Sequence, residues 1–183
     1  LLGSRVDPGD ALAELPPPPP PLPRDLTGAL SGLHGLSPDL IVHAAGLLAD
    51  GKVGTADGSK AFHVKVEGLQ KLAAFFPDTP IVALGSYAGR FGNALQTEYG
   101  AANEAMTCLG RSLDRAERRV LTQVWGPWEG SEMVEKIPAP LRAAMREEGL
   151  WFVHVERGLE AFVGSLGLRG EVVLGLDLPA VRR

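Results

Sequence analysis

One cysteine, Cys108, stands among the 183 residues, so no disulfide can close within the chain and nothing in its thiol usage points to an oxidising compartment. The four histidines (His34, His43, His63, His154) and that cysteine show no metal-ligand spacing, which excludes a zinc module. No stretch approaches the ~18 apolar residues of a membrane-spanning helix. Neither sign of charge dominates: 18 Lys and Arg face 22 Asp and Glu, a net −4, and the acidic residues are scattered. That balance does not suit a protein built to coat nucleic acid or an anionic membrane. There is also no initiator methionine and no signal peptide. Leu1-Leu2 followed by Gly3-Ser4-Arg5 reads as the tail of a strand, in a segment of a longer cytoplasmic multidomain chain.

What is present is enough for one domain with a core: 45% of residues are hydrophobic. Seven of the 15 prolines fall between Pro16 and Pro23. Each removes a donor and fixes φ near the polyproline II value, so this run is neither helix nor central strand. It reads as a surface linker, with a proline-groove ligand as the alternative. From Asp39 onward, continuous apolar runs alternate with helical patterns. Leu40–Ala44, Ile81–Leu84, Val120–Val124 and Val172–Leu176 predict strands. Their continuity is what a parallel sheet covered on both faces requires. Helices are predicted over about 58–75, 97–118, 141–148 and 156–165. Strand–helix–strand repetition predicts an α/β fold with a doubly wound, Rossmann-like parallel sheet, whose ligand site lies beyond the carboxyl ends of the strands.

At those ends stand His43-Ala44-Ala45-Gly46, whose small residues let a flat ligand approach the backbone, and Gly85-Ser86-Tyr87. Taken alone, Ser86 is better read as a turn cap. Tyr99 and Asn103, four apart, share one helix face. Lys65, by default a solvated helix residue, completes the set. Its logic is proton delivery to a carbonyl oxygen. A free tyrosine titrates near 10, a neighbouring ammonium lowers that value, a serine hydroxyl holds the carbonyl, and an asparagine holds a water that resupplies the proton. Nothing in the set carries two electrons, so a hydride donor must be supplied.

The stretches His43–Gly51 (HAAGLLADG), Phe62–Leu69 (FHVKVEGL), Leu84–Asn103 (LGSYAGRFGNALQTEYGAAN) and Val124–Val134 (VWGPWEGSEMV) resemble the ketoreductase domain of polyketide synthases, within the short-chain dehydrogenase/reductase superfamily. The likeness is nearest to ketoreductases of polyunsaturated fatty-acid synthases. It implies Tyr99 as general acid, Ser86 as carbonyl-binding serine, Lys65 as the lysine that tunes the tyrosine and touches the nicotinamide ribose, and Asn103 in the proton relay. Lysine at position 65 with asparagine four after the tyrosine is the synthase arrangement; ordinary short-chain dehydrogenases have lysine in the latter place. The resemblance further implies Ala44, Ala45, Gly46, Pro127 and Trp128 beside the cofactor, Arg5 at the 2′-phosphate of NADPH, Asp25 at the adenine, and a substrate lid over about 129–149. Asp50 keeps the last residue of the Leu-Asp-Asp fingerprint of B-type ketoreductases. Phe91 stands where the A-type tryptophan would be. A D-hydroxy product is the resulting expectation.

The implied activity is NADPH-dependent reduction of a β-ketoacyl thioester, presented on an acyl carrier protein among neighbouring synthase domains. No G-x-G-x-x-G turn occurs, and polyproline replaces the strand that should precede Asp25. The expectation is therefore a sheet lacking its first βα unit. Residues 1–38 would be a remnant of the cofactor-binding half with its polyproline linker, and 39–183 the catalytic region. The alternative is a catalytically inactive remnant that packs within a megasynthase. A serine hydrolase fits poorly: the nucleophile elbow needs glycine two before the serine, where Leu84 stands, and His154 has no acid partner at a strand end. Cys108 is expected in the core, Trp125 and Trp151 in packing, and Arg115–Arg119 at a solvated helix end.

Overall fold

The structure, a computed structural model, describes residues 30, 32–47, 58–147, 149–150 and 152–174. The chain divides into two compact units, Leu1–Gly35 and Leu36–Arg183. In the first, the described residues form a turn closed by the Leu33 N–H donating to the Leu30 carbonyl.

The second unit is built on four parallel strands in the order of the chain: β1 (Ile41–His43), β2 (Ile81–Ser86), β3 (Val120–Trp125) and β4 (Gly170–Leu174). Ile41 lies opposite Ile81, Ile81 opposite Val120, and Leu121 opposite Gly170. All four predicted strands are present. β2 and β3 run past their apolar stretches to end on Ser86 and Trp125, which face each other across the register. The central strands are buried. The outer two are less covered, with Val42 of β1 45% and Val173 of β4 41% exposed.

Between the strands lie α1 (Gly58–Phe62), a π-helical turn (His63–Glu67), α2 (Gly68–Phe75), α3 (Tyr87–Phe91), α4 (Thr97–Leu113), α5 (Glu132–Glu135), α6 (Ala139–Glu147) and α7 (Val155–Ser165). The side chains of β3 alternate between the two helical layers, as strand geometry requires. Val120 packs with Leu69 and Ala73 of α2, Met106 of α4, and Ile81 and Ala83 of β2 in the main core. Gln123 points the other way, to α7, where its amide nitrogen donates to Ser165 Oγ (2.8 Å) and the Phe162 carbonyl (3.2 Å). Its Oε1 accepts from the Trp125 indole (3.2 Å). Helices on both faces of a parallel sheet make the expected doubly wound α/β fold.

Helix α4 stops at Leu113, five residues short of the predicted end. Asp114 turns extended, and its carboxylate accepts from the Val120 N–H (2.9 Å) and from Arg169 (3.0 Å). Those bonds commit the chain to starting β3. The Arg115–Arg119 cluster is consequently not a solvated helix end. Arg118 is buried and donates to the carbonyls of Ala73 (2.7 Å) and Leu113 (3.3 Å), satisfying the open C-terminal ends of α2 and α4 together.

Cys108 also departs from expectation. It is exposed, on the face of α4 that carries Glu104 and Arg111, rather than on the core face of Ala102, Met106 and Gly110. No described helix is long and apolar enough to cross a membrane.

Candidate active site

The carboxyl ends of β1 and β2 meet at Lys65. This lysine is only 4% exposed. It sits in the π-helical turn, and its ammonium donates to the carbonyl of Leu84 near the end of β2 (3.1 Å) and of Ala45 just past β1 (3.5 Å). A Cβ on Gly46 would lie 3.6 Å from that ammonium, so the segment Ala44–Gly46 passes directly over it, with all three residues exposed. Burial pulls the Lys65 ammonium down from 10.5 to about 8, because the charged form has lost its water.

Tyr99, in the first turn of α4, presents its ring to Lys65, with Nζ 6.0 Å from the ring centroid. Asn103 follows one turn later, fully buried. Its amide nitrogen donates to the Tyr99 carbonyl (2.8 Å), while its Oδ1 is buried without a protein partner. A buried acceptor of this kind has room in its chemistry for a water.

Ser86 ends β2 in extended conformation, and its hydroxyl accepts from the Ala88 N–H (3.2 Å). The serine is thus the N-cap of α3, the cap that sequence reasoning favours for it in isolation, at the strand end where a substrate carbonyl would arrive. Helix α3 lies against α4 through Gly89 and Gly100, so the element starting at Ser86 is fixed to the element carrying Tyr99. Phe91 closes α3 with its side chain exposed.

Pro127 and Trp128 follow β3. The Val153 N–H donates to the Pro127 carbonyl (2.8 Å) and the Glu129 N–H to the Val153 carbonyl (2.9 Å), forming a short parallel bridge at Trp128. The Trp128 ring lies 4.8 Å from that of Trp125, and only a glycine at position 158 leaves it space. Beyond it, Glu129 pairs with His154 (2.7 Å) and with Arg146 of α6 (3.5 Å). His154 therefore does have an acid partner, but the pair is exposed and Ser86 Oγ is engaged with α3.

Lys65, Tyr99, Asn103 and the Ala45–Gly46 segment form one connected cluster, with Ser86 held alongside through α3. Arg5, Asp25, Asp50 and Trp151 lie outside the described residues. Sequence reasoning missed His43. Buried at the end of β1, its Nε2 lies 3.0 Å from the Lys65 carbonyl. Only the run of strand preceding it hinted at that place.

The fold is that of the short-chain dehydrogenases/reductases. A member of that class, a glucose/ribitol dehydrogenase from Brucella melitensis, superposes with a TM-score of 0.62 at 22% identity, over 74% of this chain and 62% of the other. A blue fluorescent protein from a metagenomic library, solved with NADPH, superposes at 0.64 with 22% identity over 80% and 68%. Within that fold the chain belongs to the KR domain family, whose profile matches residues 25–130. The ketoreductase from the first module of phoslactomycin biosynthesis in Streptomyces sp. HK803 is similar, with a TM-score of 0.71 and 27% identity over 86% of this chain and 38% of that one. In sequence, the chain is 31% identical to a spectinabilin polyketide synthase system protein of Streptomyces orinoci over 78% of its length. It is 29% identical to a polyunsaturated fatty acid synthase protein of a Thraustochytrium strain over 66%. It covers 4% of the length of each of these two relatives.

Proposed function

We propose that this chain is the catalytic region of a cytoplasmic synthase ketoreductase, reducing a β-ketoacyl thioester on an acyl carrier protein to the β-hydroxyacyl thioester. The observation that carries the reading is the Lys65 ammonium, fixed between the Ala45 and Leu84 carbonyls and facing the Tyr99 ring at 6.0 Å. Membership of the KR domain family supports it.

The residues fit a nicotinamide cofactor. Ala44, Ala45 and Gly46 lie exposed over Lys65, small enough for a flat ring and ribose to rest on, and the buried ammonium offers a donor to ribose hydroxyls. Lys65, the Ala44–Gly46 segment, Pro127 and Trp128 would hold it. NADPH would supply the hydride to the carbonyl carbon. Ser86 Oγ donates to the substrate carbonyl oxygen and orients it. Tyr99 releases its phenolic proton to that oxygen, and the Lys65 ammonium offsets the charge left behind. Asn103 holds a water on its unpartnered Oδ1, from which the proton is replaced. Residues 129–149, containing α5 and α6, act as the lid, and residues 1–38 belong to the cofactor-binding half. Phe91, exposed at the end of α3, borders the acyl chain, and the product is the D-hydroxy thioester.

An inactive packing unit is the second reading, favoured by the absence of a G-x-G-x-x-G turn from these residues. Oxidation of NADPH by the chain with a β-ketoacyl pantetheine thioester, beside Tyr99→Phe, tests the enzyme reading. Turnover that vanishes in the variant supports the enzyme. A folded chain without turnover means either the packing unit or a catalytic region separated from its cofactor-binding half.

A further inference from the structure

We infer that His43 is the positioning residue for Lys65, holding the lysine main chain in place while the same stretch of backbone grips its ammonium. This rests on the reductase reading, in which Lys65 serves both Tyr99 and the cofactor. His43 is the last residue of β1 and is only 3% exposed. Its Nε2 lies 3.0 Å from the Lys65 carbonyl, across 22 residues of sequence. A carbonyl only accepts, so Nε2 carries the proton and donates.

The place where this bond lands matters. Lys65 lies in the π-helical turn His63–Glu67, where the Gly68 N–H reaches both the His63 and the Lys65 carbonyls instead of closing a regular α-turn. Such a turn has a widened, less uniform hydrogen-bond ladder, and its side-chain directions are not set by helix geometry alone. A donor from outside the helix supplies the missing constraint. Two residues after His43, the Ala45 carbonyl accepts from the Lys65 ammonium. The segment His43–Ala45 therefore holds Lys65 at both ends, and the Leu84 carbonyl of β2 fixes the ammonium from a third side. Among the described residues in contact with Lys65, the titratable ones are His43 from β1 and Tyr99 from α4. Burial keeps His43 below the usual histidine range, so it stays a neutral donor while Lys65 is charged.

The test follows the Lys65 ammonium itself, by carbon-13 NMR of the side-chain ε-carbons in the lysine-labelled 183-residue chain. The Lys65 signal is assigned by its loss in Lys65→Met. Three variants are compared: His43→Gln, which keeps an Nε2–H at similar reach; His43→Asn, which is polar but too short; and His43→Leu. We expect Lys65 to titrate near 8 in the parent and in His43→Gln, and at least one unit higher in His43→Asn and His43→Leu. Release of the ammonium from its buried cradle causes the rise. Should His43→Leu not fold, the Gln and Asn pair decides alone. The inference is overturned if all the folded variants titrate with the parent, or if His43→Gln moves as far as His43→Asn. Where the parent turns over substrate, kcat of His43→Asn should fall about tenfold with the thioester KM little changed, and His43→Gln should restore it. A parent without turnover would show that these 183 residues do not reduce the thioester by themselves, and the titration would still decide the role of His43.

Discussion

The Cβ that Gly89 lacks would lie 2.9 Å from the Cβ of Asn103 and 2.9 Å from the backbone nitrogen of Glu104, nearer than folded proteins allow such atoms. Gly100 makes the reciprocal approach, its absent Cβ falling 2.8 Å from the Ala88 carbonyl oxygen. The five-residue helix that Ser86 caps is thereby seated on the helix that carries Tyr99 and Asn103. In Gly89→Ala the obstruction is backbone, which no rotamer change relieves, so α3 must lift away. The gain from replacing a helical glycine, about 1 kcal/mol, is outweighed by overpacking of roughly 1–3 kcal/mol. The expected result is a lower denaturation midpoint together with a kcat loss of at least tenfold, since Ser86 moves relative to Tyr99. A variant with parent-like stability and turnover would refute this account of how the two hydroxyls are aligned.

Lys65 gives stability a dependence on alkaline pH. Its ammonium titrates near 8 in the folded chain against 10.5 when unfolded. Below pH 8 both states hold the proton, and the penalty for burying the charge is present in full. Between pH 8 and 10.5 the unfolded chain binds more protons than the folded one, so this residue makes stability rise with pH, by about 3 kcal/mol across the window. Lys65→Met removes the contribution. Urea unfolding of both proteins from pH 7 to 10.5 should show the variant more stable at pH 7, with the difference closing toward pH 10.5. Parallel curves would mean that the ammonium is not buried as described. Turnover should be lost in the variant throughout.

The regular parts of this architecture were readable in the chain, because buried parallel strands need continuous apolar runs and Ile81–Leu84 and Val120–Val124 are such runs. The same logic located Ser86 and the Ala44–Gly46 segment, since both stand where a run ends. What escaped was set by bonds between distant residues. The 3.6-residue pattern runs on past Leu113 into Glu117 and Arg118, and nothing local shows that the Asp114 carboxylate will take the Val120 N–H instead. Extending the helix misassigned Arg118, which is buried as a cap. Cys108 was misplaced within the helix for another reason. Its neighbours at the helical spacing, Glu104 and Arg111, mark a polar face, which outweighs its own apolar character. The π-helical turn is equally silent in sequence: His63–Glu67 contains good helix and strand formers alike. The partnership of His43 with Lys65, 22 residues apart, leaves no periodic trace.

Ser86 combines two duties that substitution can separate. Its hydroxyl caps α3 by accepting from the Ala88 N–H, and the proposed reaction also asks it to donate to the substrate carbonyl. Ser86→Ala loses both, and the lost cap should lower stability by ~1 kcal/mol. Ser86→Asp keeps a capping acceptor at the same place but offers no donor and puts a negative charge beside the carbonyl oxygen. Its stability should stay within about 0.5 kcal/mol of the parent, while kcat falls at least as far as in the alanine variant. Equal stability loss in both variants would show that the cap is not what the hydroxyl supplies. Retained turnover in Ser86→Asp would remove Ser86 from the reaction.

Exposed charges tie the start of the proposed lid, Glu129, to Arg146 near its end and to His154 at the start of α7, which predicts an effect on substrate binding rather than on folding. Glu129 pairs with Arg146 of α6 at 3.5 Å and with His154 at 2.7 Å, and the Arg146 guanidinium also lies 4.7 Å from the centre of the Phe152 ring. All three charged groups are well exposed, so each pair is worth at most about 1 kcal/mol and is screened by salt. Glu129→Gln should therefore leave the denaturation midpoint almost unchanged. It should raise the thioester KM several-fold, because a lid that has lost its tie closes less often, with kcat within about twofold of the parent. The parent KM should climb with added salt toward the variant's value, whereas the variant's should stay flat. A salt response of the same size in both proteins would show that the Glu129 pairs with Arg146 and His154 do not set how the lid closes.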